Sequence, residues 1–115
     1  MPGNDAALTP GMRDKLERAV RAIADHARPE LVILFGSYAE GSQTDESDLD
    51  LLVVAETEDN IMLTVDLRRL LRPILAPLSF DLLVYTPESW ERGRRVLGFV
   101  THDADQRGIR LYEAA

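Results

Sequence analysis

The chain has 115 residues, enough for one domain with a small core, and its lack of cysteine excludes a disulfide framework and a thiolate metal site. Its formal net charge of −7 argues against general nucleic-acid binding, and no apolar run approaches the ~20 residues of a membrane span. We therefore expect a single cytoplasmic domain over residues 1–115, with a loose N-terminal segment over residues 1–8.

The first predicted elements are a helix and a strand. Thr9-Pro10 is typical of a helix start, and apolar residues at helical spacing predict an amphipathic helix over 10–27, which Pro29 ends. The wholly apolar run 31–35 predicts a buried central strand. Ser37 is then expected to cap a short helical turn.

The middle of the chain predicts a second strand and a second helix. A polar loop over 41–47 leads into strand character over 48–54, and residues 60–71 show helical spacing of apolar residues. Pro73 and Pro77 are expected to break the region that follows.

The last third predicts a strand, a helix in two pieces and a final strand. Thr86-Pro87 is typical of another helix start, Gly93 and Gly98 divide that helix into two pieces, and Gly108 is a candidate C-cap. The four predicted elements cover residues 80–85, 87–92, 95–105 and 109–112. Together the elements predict an α/β (α+β) domain with a small mixed sheet of three to four strands, covered by helices mainly on one side.

Paired acids are the main chemical feature of the sequence. Gly36-Ser37 is followed, after ten residues, by Asp48-Leu49-Asp50. Alternation along a strand places Asp48 and Asp50 on one face, about 6.5–7 Å apart. Two carboxylates on one face repel each other unless a cation lies between them, and hard oxygen ligands favour Mg²⁺ or Mn²⁺.

Two further features suit a metal-bound triphosphate. Asp81 interrupts an apolar strand and is expected to supply the third carboxylate of a two-metal site. Gly36 allows the backbone close to a ligand, and the Ser37 hydroxyl with nearby N–H groups can bind phosphate oxygens. An anion site beside a cation site is what phosphoryl transfer requires.

Structural alternatives stay open for each of these residues. Gly36-Ser37 is also compatible with a plain strand-to-helix turn, Asp48 and Asp50 with solvated positions at a strand start, and Asp81 with a half-exposed edge strand. A cluster of three arginines fits either a solvated helix face or a contact to an acceptor or partner; its members are Arg92, Arg94 and Arg95.

The chain resembles a known family in four segments. Phe35-Gly36-Ser37-Tyr38-Ala39 and Ser47-Asp48-Leu49-Asp50-Leu51-Leu52-Val53 look like the signature of the polymerase-beta-type nucleotidyltransferase superfamily. Phe80-Asp81-Leu82-Leu83-Val84 is similar to its later carboxylate strand, and the tail 108–113 looks like that of the minimal nucleotidyltransferase (MNT) antitoxins. The resemblance covers about residues 10–113.

The resemblance implies a nucleotidyltransferase fold and a role for each site residue. It implies that Gly36 and Ser37 bind the triphosphate, that Asp48 and Asp50 bind two Mg²⁺ ions, and that Asp81 binds one metal and activates the acceptor. It further implies AMP transfer from ATP to a tyrosine of a HEPN-domain toxin, in a hetero-oligomer of toxin and antitoxin.

The main departure from the family pattern is Glu40, at a position that is often basic in these proteins. This residue and the charge of −7 favour one alternative, a non-catalytic acidic antitoxin that neutralises its toxin by binding alone. The other alternative is a small-molecule nucleotidyltransferase of the aminoglycoside type.

Overall fold

The computed structural model describes residues 8–115, so residues 1–7 of the expected loose segment lie outside the described residues. Its helices are α1 (Pro10–Ala27), α2 (Ser37–Glu40), α3 (Asn60–Leu75), α4 (Pro87–Gly93) and α5 (Val100–Arg107). Its strands are β1 (Leu31–Phe35), β2 (Leu49–Val54), β3 (Phe80–Tyr85) and β4 (Ile109–Glu113). None of these helices combines the length and apolar character that crossing a membrane requires.

The four strands form one mixed sheet in the order β3-β2-β1-β4. β1 is antiparallel to both β2 and β4, whereas β2 and β3 are parallel and are joined through α3. A parallel pair needs such a crossover connection because the chain has to return to the same end of the sheet. The predicted fold class is confirmed.

Helices cover the two faces of the sheet unequally. On the first face, apolar residues such as Val32, Leu51 and Val53 pack in one core with the long helices α1 and α3. On the second face, Ile33 and Leu52 pack in a smaller core with the short helices α4 and α5. Apart from Asp50 near its start, β2 is therefore apolar on both faces, as expected for a covered inner strand.

The expected helix boundaries hold where a local capping signal is present. The Thr9 side chain accepts a hydrogen bond from the Met12 N–H at 3.2 Å, and α1 ends at a left-handed Arg28 before Pro29. Leu8, inside the segment expected to be loose, is buried in the core instead, because its apolar side chain packs at the start of α1.

Pro73 does not break α3, contrary to the sequence prediction. The helix runs through Pro73 to Leu75, with Asp59 capping its start. Proline removes one backbone hydrogen bond, and here it lies in the last turn of the helix. Leu71 and Leu75 are fully buried on the same side, so their packing holds that turn in place.

The segment between α4 and α5 is longer than the positions of Gly93 and Gly98 predicted. Residues 94–99 form successive turns, and Gly98 has a φ of +97°. α5 accordingly starts at Val100 rather than near residue 95. It ends at Arg107, and the N–H of the C-cap residue Gly108 donates a hydrogen bond to the Ala104 carbonyl at 2.9 Å. The predicted C-cap is confirmed.

We expect the Leu51→Ala variant to lose about 2–5 kcal/mol in the free energy of unfolding, because truncation leaves a cavity in the centre of the sheet. Leu51 is 1% exposed and lies between Leu34 and Leu82 in the register of the sheet. Urea unfolding measures the loss. The control is Ile61→Ala, at a position that is 78% exposed, which should change stability by no more than about 0.5 kcal/mol.

Candidate active site

Two of the predicted acids face each other across neighbouring strands. Asp50 of β2 pairs in register with Asp81 of β3, and Phe35 of β1 lies on its other side. Neighbouring strands are about 4.8 Å apart, so the two carboxylates extend from adjacent backbones on the same face. Asp50 is half-buried, whereas Asp81 is exposed on an edge strand.

Asp48 lies directly before β2 and is tied to the chain before β3. The Ser79 hydroxyl donates a hydrogen bond to Asp48 Oδ1, and the Ser79 carbonyl accepts one from the Leu49 N–H at 3.0 Å. This contact holds the third carboxylate beside the first two. The sequence reasoning missed Ser79, although its position two residues before Asp81 is a usable signal.

Gly36 brings the end of β1 against Asp50. Its φ of +76° is unfavourable for residues with a side chain, and it directs the chain from β1 into α2. A Cβ atom at this position would overlap the Asp50 Oδ2 atom and lie 3.1 Å from its Cγ atom. Only glycine therefore allows the turn and the carboxylate to occupy this space together.

Ser37 differs in role from the sequence prediction. The N-cap of α2 is Gly36, and Ser37 is the first helical residue, with no side-chain capping bond. The cap position lies at Gly36 instead of Ser37, because the positive φ of Gly36 completes the turn one residue earlier. The Ser37 side chain is partly exposed, so its hydroxyl is available to a ligand.

The electrostatic environment of the three acids is strongly negative. Burial, together with the charges of Asp81 and then Asp48, raises the pKa of Asp50 above its ordinary value. The segment 29–67, which includes the whole Gly36–Asp50 region, contains no lysine, arginine or histidine. The segment therefore offers no side-chain cation to neutralise either the carboxylates or a bound phosphate.

The donor set fits a hard divalent cation. Oxygen ligands without nitrogen or sulfur suit Mg²⁺ and Mn²⁺, and a cation would offset both the burial and the like charges that raise the pKa of Asp50. Within residues 8–115, no three His, Asp or Glu side chains lie, as they stand, in an arrangement that could hold a metal ion. Asp81 is exposed, so its side chain can rotate toward a cation, whereas the exposed Asp48 side chain is held through its Oδ1 atom by Ser79.

The mixed sheet, the glycine turn and the facing carboxylates agree with the class of nucleotidyl-transferring enzymes. The family model described as "Polymerase beta, Nucleotidyltransferase" matches residues 17–97, which is most of the chain. The chain therefore belongs to the polymerase beta nucleotidyltransferase family.

Two relatives from Methanocaldococcus jannaschii support this membership. Over 73 residues the chain is 40% identical to a protein of Methanocaldococcus jannaschii provisionally named protein adenylyltransferase MJ0604, covering 61% of this chain and 73% of the relative. A second protein of that organism, provisionally named protein adenylyltransferase MJ1379, is 38% identical over 42 residues, covering 36% of this chain and 42% of the relative.

Solved structures show the same fold. A crystal structure of a provisionally named nucleotidyltransferase from Sulfolobus solfataricus matches with a TM-score of 0.59 at 20% identity, covering 90% of this chain and 83% of that chain. A toxin–antitoxin crystal structure with AMP-PNP matches with a TM-score of 0.57 at 25% identity, covering 87% of this chain and 72% of that chain.

We expect Gly36→Ala to lose more stability than Gly98→Ala. Both positions have a positive φ, which costs a residue with a side chain about 1–2 kcal/mol. A Cβ at Gly98 meets open space, whereas one at Gly36 meets Asp50 and displaces its carboxylate. Comparison of the two variants by urea unfolding isolates the steric part. Equal losses would contradict the close approach of Gly36 and Asp50.

We expect Asp50→Asn to raise the stability of the metal-free protein at pH 7. The folded-state pKa of Asp50 is raised, so the folded protein binds its proton more tightly than the unfolded chain does. The stabilising contribution of that proton is complete below the unfolded pKa of about 3.9 and is lost as the pH rises through the folded pKa.

Urea unfolding in EDTA between pH 3 and pH 7 measures the effect. The difference in the free energy of unfolding between Asp50→Asn and the parent chain should be largest at neutral pH and should decrease below pH 4. If the parent chain were more stable than Asp50→Asn at neutral pH, the Asp50 charge would not be destabilising in the folded protein.

Proposed function

We propose that this chain transfers AMP from ATP, with Mg²⁺, to a tyrosine hydroxyl of a partner HEPN-domain toxin and thereby acts as an antitoxin. The observation that carries this proposal is the register of the sheet, which sets Asp50 opposite Asp81 and against the Gly36 turn. Carboxylates beside a strand-to-helix turn suit a metal-bound triphosphate better than any apolar ligand.

The proposed roles follow from position. Gly36 and Ser37 bind the triphosphate at the start of α2, where the first backbone N–H groups of a helix have no acceptor inside the helix. Asp48 and Asp50 hold two Mg²⁺ ions, with Mn²⁺ as the alternative, and Asp81 holds one of them. When bound, these ions neutralise the triphosphate and lower the pKa of the acceptor hydroxyl.

The reaction is a substitution at the α-phosphorus of ATP. The acceptor oxygen forms a bond to that phosphorus, the bond to the β-phosphate oxygen breaks, and pyrophosphate leaves. Asp81, on the edge strand and exposed, receives the hydroxyl proton. Asp50 is half-buried and lies against Gly36, so its orientation is fixed before a substrate binds.

The choice of a protein acceptor rests on relatives. The two Methanocaldococcus jannaschii proteins carry the provisional name protein adenylyltransferase, and the toxin–antitoxin structure contains AMP-PNP. The finer identity of the acceptor, a tyrosine of a HEPN-domain toxin, rests on the resemblance to the MNT antitoxins.

The test is AMP transfer from α-³²P-labelled ATP and Mg²⁺ to the purified protein encoded beside this chain. We expect labelling by the parent chain and a loss of about a hundredfold or more in Asp50→Asn, because removal of a metal-binding charge weakens transition-state stabilisation. The matched control is Asp45→Asn, which removes an exposed acid from the neighbouring loop and should leave labelling unchanged. Equal labelling by Asp50→Asn would contradict the proposal.

One observation favours a second candidate function, neutralisation of the toxin by binding alone. The site has no side-chain cation on segment 29–67, and Glu40 is exposed on α2, at the turn proposed to bind phosphate. If Asp50→Asn protects cells from the toxin as well as the parent chain at equal expression, binding is sufficient. Loss of protection favours catalysis.

A further inference from the structure

An exposed apolar ridge stands on the second face of the sheet. It consists of Val96, Leu97, Phe99 and Val100, at the turns that join α4 to α5. Leu97 is 84% exposed and Phe99 is 56% exposed. Among residues 8–115, four of the seven exposed large apolar side chains lie in this five-residue stretch, which is unusual for a surface without a partner.

The ridge is held in shape by the backbone and by ion pairs. Phe99 N–H bonds the Val96 carbonyl at 3.1 Å, and the Phe99 carbonyl accepts a bond from the first turn of α5. At the base of the ridge, Arg94 pairs with Glu91 at 2.9 Å and with Asp105 at 3.4 Å. A surface that is already ordered loses little conformational entropy when a partner binds.

A groove lies between the ridge and β3. Its volume is about 560 Å³, and its walls include Tyr85, Arg92, Val96 and Phe99. Tyr85 is on the same face of β3 as Asp81, four residues further along the strand. Four strand residues span about 13 Å, so an extended segment of that length reaches from the groove to the proposed reaction site.

The charges around the groove indicate what it binds. Arg94 and Arg95 are both paired with Glu91, and Arg107 pairs with Asp103. Arg92 lines the groove, is exposed, and has no ion-pair partner within residues 8–115. An occupant with apolar side chains for the ridge and one carboxylate for Arg92 would complement both features.

We propose that the ridge and groove dock the acceptor protein, through a segment of that protein that carries apolar side chains and an acidic residue about four residues from the modified hydroxyl. This inference rests on the proposed function, since it assigns the acceptor of that same site. The groove gives the acceptor protein a binding surface, which the three aspartates do not provide by themselves.

The experiment uses the full chain and synthetic peptides as probes. The anchored peptide has a tyrosine followed, four residues later, by Leu-Glu-Phe, and the control peptide has serine in place of Leu and Phe. Peptide binding is measured by fluorescence anisotropy, ATP binding with Mg²⁺ by calorimetry, and AMP transfer by label from α-³²P-labelled ATP. We expect the anchored peptide to bind and to be labelled in preference to the control.

The ridge variant is the double substitution Leu97→Ser with Phe99→Ser. Serine is a favoured N-cap residue, so it suits position 99 at the start of α5, and Leu97 is too exposed to contribute to the core. The matched control is Ile61→Ser with Met62→Ser, which removes equally exposed apolar side chains from α3. We expect the ridge variant alone to lose roughly tenfold in peptide affinity, with ATP affinity unchanged.

A charge exchange tests the role of Arg92. Arg92→Glu should weaken binding of the peptide with Leu-Glu-Phe and improve binding of the same peptide with Leu-Lys-Phe. Arg92→Glu should not alter ATP affinity, because Arg92 belongs to the groove and not to the Gly36 turn.

Three results would overturn the docking proposal: equal binding of the anchored and control peptides, a fall in ATP affinity in the ridge variant, or a dimer of the parent chain that the ridge variant dissociates in sedimentation. The last result would show that a second copy occupies the ridge. Failure of the proposed function looks different: the parent chain would bind the anchored peptide yet neither bind ATP with Mg²⁺ nor transfer AMP.

Discussion

The arrangement of the site depends on the packing of one carboxylate, that of Asp50. Gly36 contacts it from β1 with a backbone conformation that only glycine adopts easily, and Asp81 faces it from β3. Burial and these like charges raise the pKa of Asp50, so the charged form of this half-buried side chain is unfavourable in the metal-free fold. The inner position of β2 and its two apolar cores provide the stability that offsets this charge.

Much of the fold was predictable because its signals are local. Thr9 and Pro10 mark the start of α1, and the apolar runs 31–35 and 80–85 coincide with β1 and β3. The errors occur where tertiary packing decides the outcome. Burial of Leu75 extends α3 past Pro73. The turns over 94–99 place the start of α5 further along the chain than Gly93 and Gly98 indicate.

The sequence pattern identified Asp48, Asp50 and Asp81, but not the contacts that arrange them. The pairing of Asp50 with Asp81 depends on the register between strands separated by a whole helix, which no local spacing encodes. The bond from Ser79 to Asp48 depends on the same register, although the position of Ser79 two residues before Asp81 could have indicated it. The apolar ridge was also missed, since exposure of Leu97 and Phe99 is a property of the folded chain; the sequence shows only apolar residues beside an arginine cluster.

The claim that the three carboxylates bind divalent cations is tested most directly by counting bound metal. Electron paramagnetic resonance of Mn²⁺ would be recorded with the protein and an ATP analogue whose α–β bridge resists cleavage. The account predicts two protein-bound Mn²⁺ ions in the parent chain and a loss of bound metal in both Asp50→Asn and Asp81→Asn. The account would be contradicted if neither the parent chain nor the variants bound more Mn²⁺ than the free nucleotide binds.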